Sequence, residues 1–122
     1  MSLRASITNQ GNVAVIALEG KLDYENQDVL KDNILSLMKS GKQVVIDMDG
    51  LSFVGSSGIT QFISTVFTFC EGGGRIPPRF CNVKSEFRKI ISAYDVNKDF
   101  SIHETREAAV NGFFRSGENE NN

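Results

Sequence analysis

QVVIDMDGLSFVGSSGITQFISTVFTFC, residues Gln43–Cys70, is the stretch whose reading decides the fold. It opens on Val44-Val45-Ile46, a short β-branched apolar run of the kind that forms a buried strand. It closes on Ile59, Phe62, Ile63, Val66, Phe67 and Cys70, whose spacing i, i+3, i+4, i+7, i+8, i+11 lines one face of a helix. Between them the chain turns through Gly55-Ser56-Ser57-Gly58. A strand that passes through a Ser-Ser-Gly turn into a helix gathers hydroxyls, unpaired backbone N–H groups and the positive end of a dipole in one place. A chemical switch in this chain belongs there.

Upstream, Leu3 to Asn9 alternates weakly, Gln10-Gly11-Asn12 signals a turn, and Val13 to Leu18 is a strong β run, so a hairpin is expected. Asp23 is placed to cap the next helix, with Glu25 and Asp28 favourable near its positive end. That helix carries Val29, Leu30, Ile34, Leu37 and Met38 on one stripe and stops at Ser40-Gly41, where glycine supplies a left-handed C-cap. Downstream, Gly72-Gly73-Gly74 lacks the Lys-Ser/Thr and the following helix of a phosphate loop. With Arg75 and Pro77-Pro78 it reads as a surface connection. Arg79 to Val83 is a short strand, and Ser85 caps a helix with Phe87, Ile90, Ile91 and Tyr94 inward. Phe100 to Ile102 is a last strand, and Thr105 caps a closing helix with Ala108, Ala109, Val110 and Phe113 inward. Residues 1–116 form one domain, and 117–122 (GENENN) a disordered polar tail. The order β-β-α-β-α-β-α-β-α predicts an α/β fold with a parallel or mixed sheet and right-handed crossovers.

The bulk properties restrict the function. The 122 residues suffice for a single core. A net charge of −2 leaves no cationic excess for nucleic acid. No apolar run approaches the ~20 residues of a membrane span. The opening MSLRASITNQ has no secretory h-region, which predicts a cytoplasmic protein. Cys70 and Cys81 lack metal or redox spacing, and the single His103 completes no metal site with them, so neither metal nor cofactor is expected. Both cysteines read as small buried hydrophobes.

Catalysis finds little support. The turn is not Gly-x-Ser-x-Gly, and the single histidine lies far along the chain. A Ser-His-Asp triad drawing on Asp23 or Asp47 is disfavoured, since any chain of this length contains such residues. Asp47 and Asp49 read as turn and edge residues around Gly50. Ser56 instead suits a phosphate acceptor. A phosphoryl group adds a charge of roughly −1.5 to −2 and three acceptor oxygens, which the following helix N-terminus tolerates. A partner surface built for a neutral hydroxyl does not. A plain helix cap, worth about 1 kcal/mol, uses only one of the two serines.

The span from Ala5 to about Gly112 resembles the STAS domain, the family of bacterial anti-sigma factor antagonists. The matching pieces are Gly20-Lys21-Leu22-Asp23, Val44-Val45-Ile46-Asp47, Leu51-Ser52-Phe53-Val54-Gly55-Ser56-Ser57-Gly58-Ile59 and the Gly72-Gly73 turn. Phe100-Ser101-Ile102 and Thr105-Arg106-Glu107-Ala108-Ala109 complete the set. The resemblance implies a mixed four- or five-stranded sheet with about four helices mostly on one face. It implies that Ser56 is phosphorylated by an anti-sigma factor with serine kinase activity, that the unphosphorylated form binds this kinase, and that a serine phosphatase resets it. Asp23 matches an acidic loop residue near the acceptor, so the expected partner surface is Asp23, Gly55, Ser56, Ser57, Gly58 and Gln61. One position departs from the pattern: the residue before the acceptor is commonly Asp in the family and is Gly55 here. That departure keeps open a STAS subunit that is never phosphorylated, as in a stressosome scaffold or a lipid-transporter subunit.

Overall fold

The computed structural model describes residues 3–22, 25–54, 60–61, 63–64, 76–94 and 101–120. Strand β1 (Leu3–Gln10) and strand β2 (Val13–Leu22) form the expected hairpin. Gly11 sits at its turn with φ 62°, a left-handed conformation that glycine adopts without a Cβ penalty. Helix α1 (Gln27–Lys39), strand β3 (Gln43–Val54), strand β4 (Arg79–Cys81), helix α2 (Ser85–Tyr94), strand β5 (Ser101–His103) and helix α3 (Arg106–Glu120) follow. Thr60, Gln61, Ile63 and Ser64, within the helix expected after the Ser-Ser-Gly turn, are helical. The five strands lie in sequence order, β1 antiparallel to β2 and the rest parallel.

Strand periodicity separates two cores. Ile16, Ile46, Phe80 and Ile102 are register partners across four strands. Their row points to the face where Leu30, Ile34 and Met38 of α1, Ile63, and Ile91 of α2 pack. The opposite face carries Val13, Val15, Val45 and Cys81 and is covered by Ala109, Val110 and Phe113 of α3. The helices thus lie mostly on one face, and α3 covers the other. Arg79 reaches under α3, its guanidinium 4.7 Å from the Phe113 ring centroid.

Several local expectations shift. The N-cap of α1 is Asn26 rather than Asp23, and its Nδ2 donates to the Lys21 carbonyl (2.7 Å) instead of capping. Val29 is 68% exposed, one position off the stripe formed by Leu30, Ile34 and Met38. Ser85 is inside α2, and the Lys84 carbonyl accepts from the Phe87 and Arg88 amides (3.0 Å each), so Lys84 holds the cap position. Ala108 faces solvent. The Gly41 and Thr105 caps are as expected: Gly41 has φ 89°, and Thr105 Oγ1 accepts from the Ala108 amide (3.1 Å). Helix α3 runs on to Glu120, past the Gly117 where the polar tail was placed.

Candidate functional site

Strand β3 is longer than its apolar opening. Its pairing with β4 ends at Asp47↔Cys81, whereas its pairing with β2 continues to Leu22↔Val54. Past Asp47 it therefore runs on beside β2, through two register shifts that add residues to the β3 side. Gly50 sits at the first shift, where a Cβ would run into the Leu18 carbonyl oxygen. Buried Leu22 and Leu51 hold this extension to the core. Because Leu22 and Val54 are neighbours, the segments that follow them leave from adjacent strand ends. Those segments begin with Asp23 and with Gly55-Ser56-Ser57-Gly58, which lie outside the described residues. Of the expected surface, Gln61 is described: it is helical and exposed, two residues before the buried Ile63.

The structure draws together a second cluster that the sequence did not single out. Ala17, Asp47, Cys81 and His103 are cross-strand partners in one row on the α3 face. Asp47, read from sequence as a turn or edge residue, is a buried strand residue with a side chain only 7% exposed. Its Oδ1 accepts from Asn82 Nδ2 (2.9 Å) and the Asp49 amide (3.0 Å), and its Oδ2 from Arg106 Nε (2.9 Å). Arg106 Nη2 also lies 2.9 Å from Oδ2. Burial pushes the Asp47 carboxyl upward, but the hydrogen bonds from Asn82 and Asp49 and the Arg106 charge outweigh it, and the pKa falls below the ordinary 3.8. Asn82 adopts φ 56°, the left-handed region that asparagine enters more readily than most non-glycine residues, and its backbone amide donates to the His103 carbonyl (3.3 Å). One carboxylate thus ties β3, β4 and the start of α3 together.

The surroundings of the row set the protonation of its other members. Burial, with the negative charge of Asp47, pushes the Cys81 thiol up to about 12, so it is a hydrophobe and not a nucleophile. Arg79 Nη1 donates to His103 Nε2 (2.9 Å), which makes His103 neutral with its proton on Nδ1. Burial and the Arg79 charge lower the His103 pKa from 6.5. The described partners of Asp47 are Asn82, Asp49 and Arg106, not His103. Among the described residues no group of three or more His, Cys, Asp and Glu is placed to hold a metal ion. No helix among them is long and apolar enough to cross a membrane. The signal for this cluster was an acid directly after an apolar β run, which demands a counter-charge once buried; nothing in the sequence chose Arg106 among 13 Lys and Arg residues.

The described strands form a mixed five-stranded sheet with α1 and α2 on one face and α3 on the other, an α/β architecture of the STAS type. The family model of the STAS domain matches residues 4–109, and the chain belongs to that family. Its fold is similar to RsbS of Moorella thermoacetica (TM-score 0.74, 18% identity, 94% of this chain and 98% of that one). It is also similar to an anti-sigma factor antagonist from Mycobacterium paratuberculosis (TM-score 0.71, 19% identity, 91% and 93%). A third likeness is to the phosphorylated form of the Bacillus cell fate determinant SpoIIAA (TM-score 0.63, 19% identity, 90% and 99%).

Proposed function

We propose that this STAS protein is an anti-sigma factor antagonist that works as a phosphorylation-controlled binding switch and not as an enzyme. In its unphosphorylated form it sequesters an anti-sigma factor with serine kinase activity in the cytoplasm; phosphorylation of Ser56 releases that partner, and a serine phosphatase restores binding. The observation that carries this reading is the Leu22↔Val54 register, which starts the Asp23 and Ser56 segments side by side at one end of the sheet. On this reading the partner contacts both segments, and the charge state of Ser56 decides whether it binds. Two of the similar structures support the reading: the one from Mycobacterium paratuberculosis is an anti-sigma factor antagonist, and the Bacillus SpoIIAA structure is a phosphorylated form.

The test is incubation with candidate anti-sigma kinases and ATP, with the phosphosite mapped by mass spectrometry and Ser56→Ala run in parallel. Phosphate on Ser56 is expected, together with loss of kinase binding in Ser56→Asp by about 2–5 kcal/mol, the scale of an unpaired charge left in an interface. Gly55 favours one second reading, a STAS subunit that binds constitutively. A stable complex that forms with no phosphate on Ser56 would establish it in place of the switch.

A further inference from the structure

β1 forms the outer edge of the sheet, pairing with β2 alone among the described strands. Seven of its eight residues are exposed, and only Leu3 is half-buried. Soluble proteins commonly blunt such an edge with proline, lysine, a bulge or a covering loop. Among the described residues β1 has none of these. Its sequence LRASITNQ lacks Pro, Gly and Lys, and its single charge, Arg4, is tied to Glu19 of β2 at 3.1 Å. The β1–β2 register runs from Leu3↔Gly20 to Gln10↔Val13 without a shift, while the β2–β3 register shifts twice. The outward N–H and C=O groups of β1 thus form a straight row.

We propose that this edge pairs antiparallel with β1 of a second copy of the chain, joining two five-stranded sheets into one across a twofold axis. An axis perpendicular to the sheet keeps the same face upward in both copies. Paired residues must then share a face, so the axis passes through a residue and not between two. Centring on Ser6 or Ile7 uses the most strand. The Ile7 centre brings the 48%-exposed Ile7 side chain against Ile7 of the second copy. It also sets Ser6 beside Thr8, Ala5 beside Asn9 and Arg4 beside Gln10, with no like charges opposed. The Ser6 centre leaves Ile7 opposite alanine and gains less apolar contact. The contact is smaller than a standard interface, so association is weak, with Kd on the order of micromolar or above.

Sedimentation velocity from low micromolar to near-millimolar protein tests this. A concentration-dependent dimer is expected, and Ile7→Lys, a change at an exposed side chain, should stay monomeric with its circular dichroism melt unchanged. Ile7→Cys in a Cys70→Ser background should oxidise to a disulfide-linked dimer, whereas Gln10→Cys, which faces Arg4 of the second copy, should not; buried Cys81 stays silent. A monomer at every concentration with no Ile7→Cys cross-link would overturn the proposal. So would a dimer that Ile7→Lys leaves intact and Ile7→Cys does not trap.

Discussion

Removing Arg106 is the sharpest test of how the far side of the sheet is held. The Asp47 carboxylate is 7% exposed and Arg106 41% exposed. Arg106→Ala leaves that carboxylate with two neutral donors, Asn82 Nδ2 and the Asp49 amide, in a place where burial alone drives its pKa up. Breaking a fully buried pair from one side costs about 3–5 kcal/mol. Water reaching the half-exposed arginine position screens part of that, which brings the expected loss to about 2 kcal/mol. At about 4 °C per kcal/mol for a domain of this size, the melting temperature should fall by roughly 8 °C. The pH dependence follows from the direction of the shift. A carboxyl whose folded pKa lies below its unfolded value contributes stability above pH 3.8 and loses it as pH falls through the folded value. The gap between wild type and Arg106→Ala should therefore be full at neutral pH and close as Asp47 protonates. Urea unfolding followed by circular dichroism suits a protein with no tryptophan. In an Asp47→Ala background the same arginine deletion should cost little. A loss under about 0.5 kcal/mol at neutral pH, or a gap that does not narrow in acid, would refute the account.

Gly50→Ala should destabilise by about 2–3 kcal/mol in the same assay, because the new methyl meets the Leu18 carbonyl and the strand itself must shift. Thr105→Ala should lose about 1 kcal/mol with the cap on the Ala108 amide, and Thr105→Ser should restore most of it. His103 should titrate below 6.5 by NMR, and Arg79→Met should move it back upward. Since the unfolded histidine binds its proton more readily than the folded one, stability should decline as pH falls below 6.5, less steeply in Arg79→Met.

Much of the fold was legible because the signals were local and repeated. The β-branched runs Val13–Leu18 and Val44–Ile46, the Gly11 turn and the Gly41 stop each follow from short-range chemistry. The cap of α1 was not, because Asp23 and Asn26 are both acceptable caps and the position where the chain leaves β2 decides between them. Val29 and Ala108 were misplaced for a related reason: each adjoins a true core position, and one residue is a rotation of about 100° on a helix. Asp47 was missed more deeply. In sequence it looks like the first of two acids around Gly50, yet β3 continues through it, and its partners Asn82 and Arg106 lie 35 and 59 residues away. Only the parallel register shows that an acid in β3 shares a row with Cys81 and His103.

The two parts of β3 carry different demands, and this separation bears on the proposed switch. Up to Asp47 the strand is flanked on both sides, by β2 and β4, and its acid is bound to α3 through Arg106. From Gly50 to Val54 its described strand partner is β2 alone, and Ser56 follows two residues beyond that end. The Asp47 network and the α3 core lie further back along the strand than Val54. On the proposed reading, then, phosphorylation acts on recognition and spares the fold. Ser56→Asp should keep its melting temperature within about 2 °C of wild type, less than 1 kcal/mol, while losing the kinase. If it unfolds several degrees earlier and partner binding falls only in proportion to the folded fraction, the charge is acting through stability and the separation argued from β3 is wrong.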